Sequence, residues 1–106
     1  MQAIAAGVPA YMVGSLAHFI LDGRPVGSFL QAILENDYKT ACAHADADNQ
    51  RALWAYANFL YNHAPIGCWG SPEAFKGWRD RGGLHGVFRE AEEKKAELLK
   101  EREGSA

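Results

Sequence analysis

Leu53-Trp54-Ala55-Tyr56-Ala57-Asn58-Phe59-Leu60-Tyr61-Asn62-His63-Ala64-Pro65 is the stretch whose reading decides the fold. Leu53, Ala57, Leu60, Tyr61 and Ala64 recur at helical spacing on one face, and Trp54, Tyr56 and Phe59 widen the apolar arc beyond what a surface helix needs. A helix apolar over so much of its circumference belongs at the centre of a bundle. Pro65 stops it, and Asp46 or Asp48 is placed to start it.

Outward from this centre the chain repeats the same grammar. Upstream, Ser28 and Gln31 are spaced as a capping box ahead of Phe29, Leu30, Ile33 and Leu34, and this helix stops at Asn36-Asp37. Asp37 can cap a short helix from Tyr38 to Ala45, whose apolar positions are small alanines plus Cys42. Before these, Pro9 opens and Gly23 closes a segment over 9–22 carrying Met12, Leu16, Phe19 and Ile20 at helical spacing. Tyr11, Ser15, His18 and Asp22 form a second, polar stripe on that helix. Downstream, Ser71 as N-cap, Pro72 and Glu73 start a helix that runs to Trp78 and ends by Gly82-Gly83. No stretch alternates as a strand does. The pattern predicts a compact all-α domain of five to six helices. Its core draws on Met12, Leu16, Phe19, Ile20, Phe29, Leu30, Ile33, Leu34, Leu53, Ala57, Leu60 and Tyr61.

The end of the chain differs in kind, with 11 of the 15 residues 89–103 charged. Rich in Ala, Glu, Lys and Leu, it predicts a solvated helix ending near Gly104, with Leu84, Phe88, Ala91 and Leu98 as a thin apolar stripe interrupted by Lys95. The division is a helical core over 1–88 and a charged helical extension over 89–106, whose first half docks and whose second half projects. An oligomer-forming helix is the alternative use of that stripe.

The 106 residues are 48% hydrophobic and 23% charged, with a net charge of −2, which describes one globular domain. That balance argues against binding polymeric nucleic acid through many phosphates, and Lys76, Arg79 and Arg81 cluster too loosely for a recognition helix. No uncharged apolar run approaches a membrane span, and the first residues carry no basic leader, so a cytoplasmic protein is expected. Cys42 and Cys68 form neither a disulfide framework nor a C-x-x-C pair.

Catalytic patterns are missing from the same residues. His18, His44, His63 and His85 fall in separate segments without zinc-site spacing, and the carboxylates of the body are scattered singly. The expectation is a non-enzymatic protein with neither metal nor cofactor. More suggestive are two helix starts preceded by glycine, Gly27-Ser28 and Gly70-Ser71. Each is either an ordinary cap or a place where an anion meets free backbone N–H groups. Arg24 suits phosphate, and Trp69, in a glycine-bounded loop, either stacks on a base or folds back over the core.

The motifs Gly23-Arg24-Pro25-Val26-Gly27-Ser28-Phe29-Leu30, Asn36-Asp37, Ala45-Asp46, Asn49, Phe59-Leu60-Tyr61-Asn62, Pro65 and Cys68-Trp69-Gly70-Ser71-Pro72-Glu73 with Trp78 resemble a widespread family of small phage and prophage proteins. The resemblance covers residues 8–83 and leaves out the charged tail. It implies a viral, anti-defence function in the host cytoplasm, similar to the sponge proteins that inhibit cyclic-oligonucleotide (CBASS) immunity by sequestering a cyclic dinucleotide such as 3′,3′-cGAMP without cleaving it.

Such a ligand needs anion contacts, flat stacking surfaces and groups for base edges. Candidates are Arg24, Gly27, Ser28 and Ser71 for phosphate, Tyr11 and Trp69 for stacking, and Asn36, Asp37 and Asn62 for edges. Its two-fold symmetry suits a site shared between identical subunits, so a homo-oligomer is expected. The competing expectation is a protein-binding inhibitor that covers a bacterial immune effector through an apolar patch.

Overall fold

Pro9 and Gly23 bound the first helix as their chemistry requires. In a computed structural model that describes residues 7–104, α1 spans Ala10–Asp22 and Gly23 stops it in the left-handed conformation (φ 70°). The Gly23 N–H donates to Phe19 O at 2.9 Å. The first six residues, read above for the lack of a leader, and residues 105–106 of the predicted extension lie outside the described residues.

Six further helices follow: α2 (Ser28–Leu34), α3 (Tyr38–His44), α4 (Ala47–Arg51), α5 (Leu53–His63), α6 (Pro72–Arg81) and α7 (Gly83–Gly104). The described residues form no strand, and the fold is all-α. Helix α2 packs on α3 and α6, α1 and α6 pack on α7, and α4 packs on α5. No helix among the described residues is long and apolar enough to cross a membrane.

Three local expectations are corrected. The single central helix is two, because Asp46 caps a five-residue α4 through the Asn49 N–H, and the chain then turns at Ala52. Buried Asn49 anchors that turn: its carbonyl O accepts from the Ala52 N–H at 3.1 Å and its Oδ1 from the Tyr56 hydroxyl at 2.6 Å. The capping box at Ser28 and Gln31 is not formed. Ser28 is the first helical residue, and Gly27 holds the cap position with an extended backbone and no side-chain bond.

The third correction is the rotation of α5 relative to its expected face. Ala55, Tyr56, Phe59 and Leu60 are buried, while Ala57 is exposed and Tyr61 is 82% exposed. The inward arc is the one with the bulkier rings: Tyr56 meets Phe29 edge-on at 5.3 Å between ring centroids.

The core is otherwise Leu16, Phe19, Ile20, Phe29, Leu30 and Leu34, joined by Val8, Ala41, Cys68, Phe75 and Trp78. Met12, Ile33 and Leu53, expected inside, are partly buried against it. Phe19 stacks on Phe75 at 5.2 Å, and the Trp78 indole N–H donates to the carbonyls of Phe19 (3.2 Å) and Ile20 (3.1 Å). A side chain of α6 thereby satisfies backbone acceptors near the C-terminus of α1.

Leu84 and Val87 dock α7 onto the core, whereas Phe88 is 60% exposed and residues 89–102 are all exposed. The docked part is shorter than the apolar stripe suggests. The rest of α7 projects, stretching the molecule to 63 × 25 × 19 Å. The radius of gyration is 16.7 Å, against about 13 Å for a compact chain of this length.

Candidate functional site

The end of α2 creates the candidate site. Asn36, the residue after the helix cap, takes φ 61°, a left-handed conformation that asparagine tolerates better than other side chains. Its N–H donates to Ile33 O (3.1 Å) and the Asp37 N–H to Ala32 O (2.8 Å), which closes the helix and throws the chain into α3. Asp37 caps α3, its Oδ1 accepting from the Thr40 N–H at 3.2 Å, and these bonds hold its carboxyl below the ordinary carboxylate range. The Asn36 amide takes no partner among the described residues.

The opposite wall comes from α5 and from the loop after Pro65. The Gly70 N–H donates to Leu34 O at 2.8 Å, pinning that loop to the end of α2 and carrying Trp69 with it. Between the walls lies a groove of about 350 Å³, lined by Ile33, Asn36, Asp37, Tyr38, Leu53, Trp54, Ala57 and Trp69, with Ala32, Ala41 and Leu60 beneath. Its size is that of a small-molecule pocket. Three large aromatic side chains border it, and two of them, Tyr38 and Trp54, are about three-quarters exposed. The neighbouring Cys42 thiol raises the pKa of the Tyr38 hydroxyl above its ordinary value.

The expected site residues divide. Asn36, Asp37 and Trp69 meet in the groove. Tyr11 lines a second, more open cleft on the other side of Trp54, and its hydroxyl donates to Asp46 Oδ2 at 2.6 Å. Arg24, Gly27, Ser28, Asn62 and Ser71 line neither. Arg24 faces Asp22 at 3.7 Å, and the Asn62 amide donates to Asn58. Ser71 Oγ accepts from the Ala74 N–H and caps α6.

Sequence reasoning missed Tyr38, Ile33 and Trp54 as groove residues. Trp54 is recoverable only once α5 is rotated to bury Tyr56. Burial pushes the Cys68 thiol up to about 11, so it stays protonated at neutral pH and packs as an apolar residue.

No family model, no curated protein and no solved structure matches the chain.

Proposed function

We propose that this chain is a non-catalytic binding protein that holds a purine base of a cyclic dinucleotide in the groove between α2, α3 and α5, withholding the signal from a bacterial immune effector. The observation that carries the proposal is the placing of Trp54, Trp69 and Tyr38 around one groove with Asn36 and Asp37 at its rim. Exposed aromatic rings supply stacking worth ~1–3 kcal/mol per base. An ionised carboxylate beside a free amide fits the guanine edge, whose N1–H and N2–H groups are donors. The resemblance to small phage proteins supplies the biological setting, the cytoplasm of an infected host, and suggests a homo-oligomer acting on a signal such as 3′,3′-cGAMP.

One observation favours a second reading, inhibition by covering a protein. Tyr61 and Ile66 stand almost fully exposed outside the groove, more apolar surface than a small ligand needs. Calorimetry with a panel of cyclic dinucleotides, followed by heat release and chromatography of the ligand, separates the two. Saturable binding and recovery of the intact ligand are expected for a sponge. Absence of binding to the whole panel favours the protein-covering inhibitor, and recovery of a linear product makes the chain an enzyme.

A further inference from the structure

Trp54 is shared between two depressions. On one side lies the groove already described, and on the other a cleft of about 580 Å³ lined by Pro9, Ala10, Tyr11, Asp48, Arg51, Ala52 and Ala55. The side chain is 75% exposed and stands in the first turn of α5, directly after the break at Ala52. An indole so exposed has apolar surface to give to a ligand on either side.

The second cleft has its own aromatic wall and its own cation. Tyr11 is held upright by its 2.6 Å hydrogen bond to Asp46, so the ring is positioned before any ligand arrives. Arg51 reaches Asp48 at 2.7 Å through one nitrogen of its guanidinium, which leaves other N–H donors of the fork free. Asp48 and Asp46 bring negative charge to the same end, so this cleft suits a base with exocyclic amines next to a phosphate, rather than a bare phosphate. Among the described residues lining the two depressions, Arg51 is the only cation.

We infer that one chain binds both bases of a cyclic dinucleotide, one in the groove against Trp69 and the other in the Tyr11 cleft, with the sugar-phosphate ring crossing the Trp54 ridge and a phosphate on Arg51. This rests on the groove being a purine site, and it replaces a site split between identical subunits with a complete site on each chain. The phosphate contact belongs to Arg51 rather than to Arg24, which lines neither depression.

Titration calorimetry on the full chain with GMP and with cyclic di-GMP tests both levels. Wild type should bind one cyclic di-GMP per chain and bind it more tightly than GMP. Tyr11→Ala should weaken cyclic di-GMP by about 5- to 150-fold and Arg51→Gln by about 10- to 150-fold, with GMP affinity unchanged in both. Arg51 is exposed, so Arg51→Gln stays informative even if Tyr11→Ala disturbs the fold.

Half a ligand per chain overturns the inference. So does an Arg51→Gln variant that binds cyclic di-GMP as wild type does, or one that loses GMP in equal measure. GMP binding without any gain for cyclic di-GMP overturns the second subsite and leaves the groove reading standing, whereas failure of both ligands to bind removes the groove reading and this inference with it.

Discussion

Gly23 and Gly83 meet backbone to backbone: a Cβ placed on Gly83 would lie 2.5 Å from the Gly23 nitrogen and 2.6 Å from that of Asp22. Both glycines hold positive φ, 70° and 68°. Where they touch, α1 ends and α7 begins, and there His85 Nδ1 lies 2.8 Å from Asp22 Oδ1. Gly83→Ala adds a clash costing about 1–3 kcal/mol to a left-handed backbone costing about 1–2 kcal/mol more. A melting temperature lowered by roughly 8 °C or more is expected. A wild-type melting temperature means that α1 and α7 are not locked in this way.

Leu60 and Tyr61 are chain neighbours with opposite fates, the one 2% and the other 82% exposed. Leu60→Ala should cost about 2–5 kcal/mol, while Tyr61→Ala should stay within about 0.5 kcal/mol of wild type. Chemical denaturation of the two variants checks the rotation of α5. Equal losses would restore the face on which Tyr61 points inward.

That rotation marks where the sequence stops being legible. Helix ends were readable because they are local: Asp37, Asp46 and Ser71 each accept from a backbone N–H three residues on, and Gly23 and Gly82 both close helices in the left-handed conformation. The phase of α5 was not, since two apolar arcs overlap on one helix, offset by one residue and so by roughly 100°. A contact from outside the helix, Asn49 to Tyr56, chooses between them. The groove inherits that ambiguity. Asn36 and Asp37 were readable as exposed polar groups and Trp69 as a loop aromatic, which the structure leaves partly buried against the core at the edge of the groove, but Trp54 joins them only after the partner of Tyr56 is known.

Tyr11 and Asp46 form a link sensitive to pH in both directions. Donation to Asp46 raises the Tyr11 pKa to about 12 and holds the Asp46 carboxyl below its ordinary value. The Asp46 contribution is present above its unfolded value near 3.9 and is lost as pH falls through the lower folded value. The Tyr11 contribution is full below about 10 and is lost as pH rises from there toward 12. Wild type should therefore melt above Tyr11→Phe by a constant margin between about pH 5 and 9, and the margin should shrink at both extremes. A margin that does not vary with pH contradicts the link.

Residues 95–102 carry no core packing, and Leu98 and Leu99 are about half exposed. A chain truncated after Lys94 should keep its melting temperature to within about 2–4 °C, the shift expected for a surface change of ~0.5 kcal/mol, and its radius of gyration should fall. A larger loss of stability, dependent on protein concentration, would show that the projecting half of α7 joins copies of the chain.

Stacking in the groove is tested most directly by tryptophan fluorescence during titration with 3′,3′-cGAMP, because the three tryptophans report from different places. Trp54 and Trp69 border the groove, whereas Trp78 is buried with its indole N–H donating to the end of α1. Saturable quenching is predicted in wild type, reduced in Trp69→Phe, and absent when Trp54→Phe is combined with it, while Trp78 still emits. Quenching that survives in the double variant, or no quenching of wild type at any ligand concentration, would contradict a nucleotide base stacked between α3, α5 and the Trp69 loop.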